Sequence, residues 1–166
     1  MAYPRFQRAR SFRQIIRTTN ASAGDDYTVA SATYVALDAT NISITLEAQV
    51  GDCLEVGASL RWEHSINNEA FVDAYTIVAG APVNLISGAS THGVQAWYGG
   101  ASTTPQVNGC GGSVMYTVVS GDLSSGQVTI RPYARLATAT PVRVIYCRTI
   151  MPFHFWVKNL GPADPE

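Results

Sequence analysis

The chain has 166 residues, a length that suits one domain large enough to fold without a metal ion or a disulfide. It is 46% hydrophobic but only 14% charged, whereas typical soluble domains carry about 25% charged residues. So little charge leaves much surface for a partner to cover, and this favours a subunit of an assembly over a free monomer.

The net charge of −1 hides an uneven distribution of basic residues. Five of the eleven Lys and Arg residues precede the first acidic residue, Asp25, and aromatic and aliphatic residues lie among them. We predict a basic N-terminal arm over residues 1–24 and one β-domain over residues 25–166. The arm is expected to be extended or short-helical, because Phe12, Ile15 and Ile16 have the i, i+3, i+4 spacing of a helical turn.

No apolar segment resembling a secretory signal follows this basic start, since Arg13 and Arg17 interrupt Ile15 and Ile16. Elsewhere no segment reaches the roughly 18 continuous apolar residues of a membrane span. The sequence therefore predicts no contact with a membrane.

From Asp26 onward, runs with strand-like alternation recur between clusters of Gly, Asn, Asp and Ser. ISITLEA places Ile42, Ile44 and Leu46 on one face, and GDCLEVGASLRWEH follows a Gly-Asp turn with period two. Pro132 in QVTIRPYARL is expected to be exposed or edge-like. These runs predict an all-β fold, a jelly-roll-like antiparallel β-sandwich; an immunoglobulin-like sandwich would need a Cys…Trp…Cys framework that is absent.

The segment 86–113 is rich in Gly, Ser and Thr and contains the aromatic pair Trp97-Tyr98. It is either a long functional loop or a pair of irregular edge strands. Within it, Gly109-Cys110-Gly111-Gly112 precedes a strand and is interpreted as a flexible turn or bulge, because a phosphate-binding loop would precede a helix.

We expect neither catalysis, nor a cofactor, nor a metal ion. The three histidines have no second ligand at useful spacing, and no nucleophile lies in a strand-turn-helix setting. His154 lies between Phe153 and Phe155 and should face the opposite side of its strand. The three cysteines, without a zinc-type spacing, are interpreted as buried thiols.

The arm carries the clearest functional signal. With ten Arg against one Lys in the chain, guanidinium groups that pair with carboxylates of a protein partner are favoured over non-specific binding of nucleic acid. The predicted partner-binding residues are Arg5, Phe6, Arg8, Arg10, Phe12, Arg13, Ile15 and Arg17.

The stretch SVMYTVVSGDLSSGQVTIRPYARL and the terminus FWVKNLGPADPE resemble small virion proteins of tailed bacteriophages from about Thr40 onward. The resemblance rests on the Ser-Gly-Asp-Leu turn and on that terminus. It implies a structural protein of the virion, made in the host cytoplasm, that self-associates as a homotrimer and has no cofactor and no small-molecule substrate. No site residue is transferred by it.

Two roles remain open. The first is a head-decoration (cement) protein that stabilises the capsid by binding the major capsid protein, or another virion protein, through the arm. The second is a tail-fibre or receptor-binding protein, in which Trp62, Trp97 and Tyr98 contact host glycans.

Overall fold

The computed structural model describes residues 11–17, 26–64, 69–78, 81–84, 95–98, 106–136, 143–145 and 152–162. The first strands are β1 (Ser11–Arg17), β2 (Tyr27–Val29), β3 (Val35–Ala36), β4 (Ile44–Glu47), β5 (Asp52–His64), β6 (Glu69–Val78) and β7 (Ala81–Asn84). They are followed by β8 (Gln95–Tyr98), β9 (Gln106–Thr117), a 3₁₀ turn (Ser120–Asp122), β10 (Leu123–Ser124), β11 (Gln127–Leu136), β12 (Arg143–Ile145) and β13 (Phe153–Pro162).

The strands form two antiparallel sheets. In the first, the order is β1-β13-β5-β12-β2, and β9 pairs with the other edge of β5. In the second, β11 lies between β6 and the two short strands β3 and β4, and β7 and β8 pair with β6. The strands β4, β5, β6, β9, β11 and β13 alternate in chain order between the two sheets. This all-β, jelly-roll-like sandwich confirms the predicted fold class.

The core lies between the sheets and follows the predicted alternation. Ile42, Ile44 and Leu46 are at most 3% exposed, and Phe153 and Phe155 are fully buried on either side of the half-buried His154. Burying large aliphatic and aromatic side chains contributes about 1.5–3 kcal/mol each. The buried apolar residues of the cluster are Val29, Leu37, Ile42, Ile44, Leu46, Ala48, Leu54, Val56, Ala58, Leu60, Val118, Val128, Ile130, Ala134, Leu136, Phe153, Phe155 and Val157.

The described end of the arm is a strand. β1 pairs antiparallel with β13 over seven residues, from Ser11 opposite Asn159 to Arg17 opposite Phe153. The helical alternative for Phe12, Ile15 and Ile16 is therefore wrong, because pairing with β13 satisfies the backbone and puts Ile15 against the core. Phe12 and Ile16 point to the other side and stay about half exposed, at 49% and 50%.

Two predictions about strands need correction. Gly109–Gly112 is no turn or bulge, since β9 pairs with β5 without interruption from Gln106 to Thr117. Pro132 is buried in β11, a strand with partners on both sides, so it is neither exposed nor on an edge strand. Leu37 N donates to Pro132 O at 3.0 Å, so the donor that proline lacks faces the break between β3 and β4.

The hairpin β10–β11 shows why its turn needs a flexible backbone. Ser124 pairs with Gln127 across a two-residue turn in which Ser125 has φ +52° and Gly126 has φ +76°. Two positive φ values are typical of the type I′ turn, which matches the twist of the paired strands.

Candidate binding surface on the first sheet

The strands β1, β13, β5 and β9 lie side by side and share one face that points away from the core. The register aligns Phe12 with Lys158 and Glu55, and Gln14 with Trp156 and Gly57. The next row aligns Ile16 with His154 and Ser59. We call this surface the outer face; its residues are Phe12, Gln14, Ile16, His154, Trp156, Lys158, Glu55, Gly57, Ser59, Ser113 and Met115.

The indole of Trp156 lies over Gly57. A Cβ added at Gly57 would come within 2.2 Å of Trp156 Cζ2 and 2.3 Å of Cε2, a separation that atoms cannot adopt. The ring therefore occupies the volume that a side chain at position 57 would fill. One of its faces rests on the β5 backbone, and the residue remains half-buried.

Polar groups surround this ring. His154 Nε2 and Gln14 Oε1 are 3.0 Å apart, and the imidazole centroid lies 5.0 Å from that of Trp156 at an interplanar angle of 44°. Burial lowers the pKa of His154 below its ordinary value of 6.5, because a charged imidazolium would lose hydration there. Lys158 Nζ lies 3.5 Å from Glu55 Oε2, a partly exposed ion pair.

Together these residues enclose an open groove of about 460 Å³, lined by Phe12, Glu55, Ser59, His154, Trp156 and Lys158. Its volume falls within the range of roughly 300–1,000 Å³ found for small-molecule sites. We call it the Trp156 groove. It combines an aromatic floor with the carboxylate, ammonium, imidazole and hydroxyl groups of its rim.

The Ser-Gly-Asp-Leu turn contains a buried carboxylate. Asp122 is 3% exposed; its Oδ2 accepts hydrogen bonds from Tyr116 Oη at 2.5 Å and from Val119 N at 2.8 Å. Its Oδ1 accepts one from Thr76 Oγ1 at 3.2 Å, which ties the turn to the second sheet. Burial, and then the hydrogen bond and charge of Asp122, raise the pKa of Tyr116 above its ordinary value of 10.0.

A second buried carboxylate lies at the β4–β5 turn. Asp52 is 1% exposed; its Oδ2 accepts hydrogen bonds from Asn159 Nδ2 at 2.8 Å and from Gln49 N at 3.0 Å. Asn159 also donates to Glu47 O at 3.2 Å and accepts from Gly161 N at 2.8 Å. Both carboxylates organise turns and have partners within the domain.

The predicted site residues fall into separate places. Arg5, Phe6, Arg8 and Arg10 lie outside the described residues. Phe12 and Arg13 are exposed on β1, Ile15 is half-buried against the core of its own domain, and only the backbone of Arg17 is described. Their assignment to a partner stays a prediction.

The predicted receptor contacts Trp62, Trp97 and Tyr98 are described at the level of the backbone. Trp62 lies in β5 opposite Asn108, and Trp97 and Tyr98 lie in β8 opposite Ala70 and Glu69. The aromatic pair thus belongs to a strand, as the edge-strand alternative for the segment 86–113 has it. The positions of their side chains lie outside the described part of the chain.

Trp156 was missed as a site residue, although a signal for it was present. The alternation that places His154 opposite Phe153 and Phe155 also places Trp156 beside His154 on the outer face. Its contact with Gly57 could not be foreseen, because it depends on the register between β13 and β5.

Three further observations concern the described ranges only. Within them, no three His, Cys, Asp or Glu side chains are grouped so that they could hold a metal ion. Cys53, predicted as a buried thiol, is free and half-buried on the first sheet, and burial raises its pKa. No helix in the described ranges has the length and apolar character needed to cross a bilayer.

Comparison with known proteins identifies no family. No family model matches the chain, and no curated protein matches it. Among solved structures, the chain is similar to the crystal structure of the infectious bursal disease virus VP2 subviral particle, at 11% identity and a TM-score of 0.25. The match covers 92% of this chain and 41% of the VP2 chain.

Proposed function

We propose that this protein is a structural component of a virion, a decoration (cement) protein that stabilises a bacteriophage head by binding capsid subunits through its N-terminal arm. The observation that carries the proposal is the way β1 joins the arm to the sandwich. Seven residues are held by β13, and Ile15 is packed on the core, while Phe12 and Ile16 remain half exposed.

This arrangement suits a stapling segment. The basic residues Arg5, Arg8 and Arg10 directly precede a strand that is fixed to a rigid sheet, so a contact made by them is transmitted to the whole domain. Planar guanidinium groups can pair with two carboxylate oxygens at once on a capsid subunit. The homotrimer that the resemblance implies would present three arms and multiply a modest affinity.

The structure sharpens the experiment. A deletion through Arg17 would remove β1 and uncover core residues, whereas a deletion of residues 1–10 keeps β1 paired with β13. Capsids that lack this protein should bind the full chain but not the variant without residues 1–10, measured by co-sedimentation. Unchanged circular dichroism and thermal unfolding of that variant would show that the domain is intact.

A matched pair of variants separates geometry from charge. Arg5, Arg8 and Arg10 are replaced together by Ala, or together by Lys, which keeps the charge but loses the fork of donors. We expect the Ala variant to lose capsid binding and the Lys variant to retain only part of it. Full binding by the variant without residues 1–10, or by the Ala variant, would contradict the arm's role.

A receptor-binding protein of the tail is the second candidate, favoured by the Trp156 groove on the outer face. In that role, Trp62, Trp97 and Tyr98 stay predicted contacts to host glycans. Copy number decides between the two roles. Quantitative mass spectrometry of virions should find hundreds of copies of a head protein but at most a few dozen of a tail protein.

A further inference from the structure

The residues that line the Trp156 groove on the outer face do not belong to the hydrophobic core. Trp156 and Phe12 expose apolar surface there. The indole of Trp156 already packs on Gly57, and the strand that carries Phe12 is already paired with β13. Phe12 is 49% exposed, far more than the core side chains of the same sheet, such as Leu54 and Val157 at 0%. An exposed aromatic surface of this kind inside a groove favours a ligand.

The charges of the groove narrow the class of ligand. Lys158 and Glu55 are 3.5 Å apart and offset each other, so an anion would meet the carboxylate and a cation would meet the ammonium. A wholly apolar ligand would take the hydration of both groups without replacing it. A neutral ligand with hydroxyl groups can stack on the ring and hydrogen-bond to this rim at the same time.

We infer that the Trp156 groove binds a neutral saccharide, with one sugar ring stacked on the indole of Trp156 and its hydroxyl groups hydrogen-bonded to the rim. The C–H face of a pyranose ring is apolar and flat, which matches an aromatic platform. Glu55 accepts hydrogen bonds from hydroxyl groups, and Lys158 donates to them. Ser59, exposed at the opposite end of the groove, can do both.

The inference adds a ligand to the protein whatever the arm binds. Among the described residues that line the groove, Phe12 is the one that belongs to the arm, and a deletion of residues 1–10 leaves it in place. A variant without residues 1–10 should therefore keep saccharide binding even where it loses capsid binding. Failure of saccharide binding would leave capsid binding by the arm standing, and failure of capsid binding would leave saccharide binding standing.

The test titrates chitohexaose, cellohexaose and maltohexaose into the full chain and follows the indole N–H resonances of its three Trp residues by NMR. Trp156→Phe assigns the resonance of interest. We expect at least one of the three sugars to shift the Trp156 signal in a saturable way. No shift with any of them at about 10 mM, a concentration that detects millimolar affinity, would overturn the inference.

Variants then locate the site, with binding followed on the proton signals of the sugar by saturation-transfer difference NMR, because Trp156→Ala and Trp156→Phe lack the indole N–H at position 156. Trp156→Ala should weaken binding about tenfold or more, because the stacking surface is lost, whereas Trp156→Phe should retain part of it. Ser59→Arg should block the groove without disturbing Trp156, since Ser59 is exposed. This second variant keeps the test decisive if Trp156→Ala fails to fold.

Val119→Ala is the matched control, because Val119 is 53% exposed and lies outside the groove. It should bind the sugar like the unaltered chain. If Trp156→Ala and Ser59→Arg both bind the sugar as tightly as the unaltered chain, the inference is wrong. Dissociation of an oligomer by both variants with saccharide binding unchanged would also contradict it, since the groove would then hold a second copy of the chain.

Discussion

Two regions of the molecule use polar groups in opposite ways. At one end of the sandwich, the turns after β4 and β9 each enclose a buried carboxylate, Asp52 and Asp122, whose hydrogen bonds come from the domain itself. On the outer face, polar groups of the Trp156 groove lie at the surface beside half-exposed aromatic rings. The first arrangement stabilises the fold, and the second leaves surface free for recognition.

The largest expected effect tests the turn after β9. Asp122→Ala removes the acceptor of Tyr116 Oη and Val119 N and leaves Thr76 Oγ1 only its longer hydrogen bond to Val83 O, at 3.5 Å. We expect it to lower the free energy of unfolding by about 3 kcal/mol. Urea unfolding measures this. The matched control is Met115→Ala on the outer face, 57% exposed, which should stay within about 0.5 kcal/mol. Similar losses in both variants would break the comparison.

A smaller effect is expected at the turn after β4. Asn159→Ala removes the Nδ2 donor to Asp52 and leaves a buried carboxylate with one fewer partner, at a cost of about 2 kcal/mol. Lys158→Ala, next to it but facing outward, loses only a partly exposed ion pair and should cost at most about 1 kcal/mol. Chemical denaturation of the two variants gives the difference, and an equal cost would show that the Asp52 cluster contributes little.

The smallest expected effect is a dependence of the free energy of unfolding on pH. Burial and Asp122 raise the pKa of Tyr116, so the native hydroxyl keeps its proton at a pH where the unfolded chain loses it. The contribution of Tyr116 to stability is therefore fully present below pH 10.0, its ordinary pKa. It decreases as the pH rises above that value. Unfolding should be compared for the unaltered chain and Tyr116→Phe between about pH 8 and 11. Parallel pH profiles would rule out this linkage.

The two motifs that carry the resemblance to virion proteins have different roles in the fold. The Ser-Gly-Asp-Leu turn is one basis of the resemblance to virion proteins. Its Asp122 stabilises the turn by accepting a hydrogen bond from Val119 N. Trp156, in the terminal run that carried the same resemblance, instead forms the floor of a groove. Only the environment of each side chain separates the two cases.

Alternation along single strands was predictable from the sequence. The inward Ile42, Ile44 and Leu46, and the outward His154 between two buried phenylalanines, follow from the period of two that an extended backbone imposes. That pattern, with the turn residues between the runs, was enough to predict an all-β sandwich. The rule is local, so it needs no knowledge of the partner strand.

Other features of the fold and of the groove depend on pairing between residues that are distant in the chain, and the sequence did not predict them. Whether Phe12, Ile15 and Ile16 form a helix or a strand is settled by β13, and the contact of Trp156 with Gly57 by the register of β13 on β5. Asp52 and Asn159 meet across 107 residues of chain. A short apolar pattern is compatible with several partners, and the free energy of burying it selects among them only once the sheets have assembled.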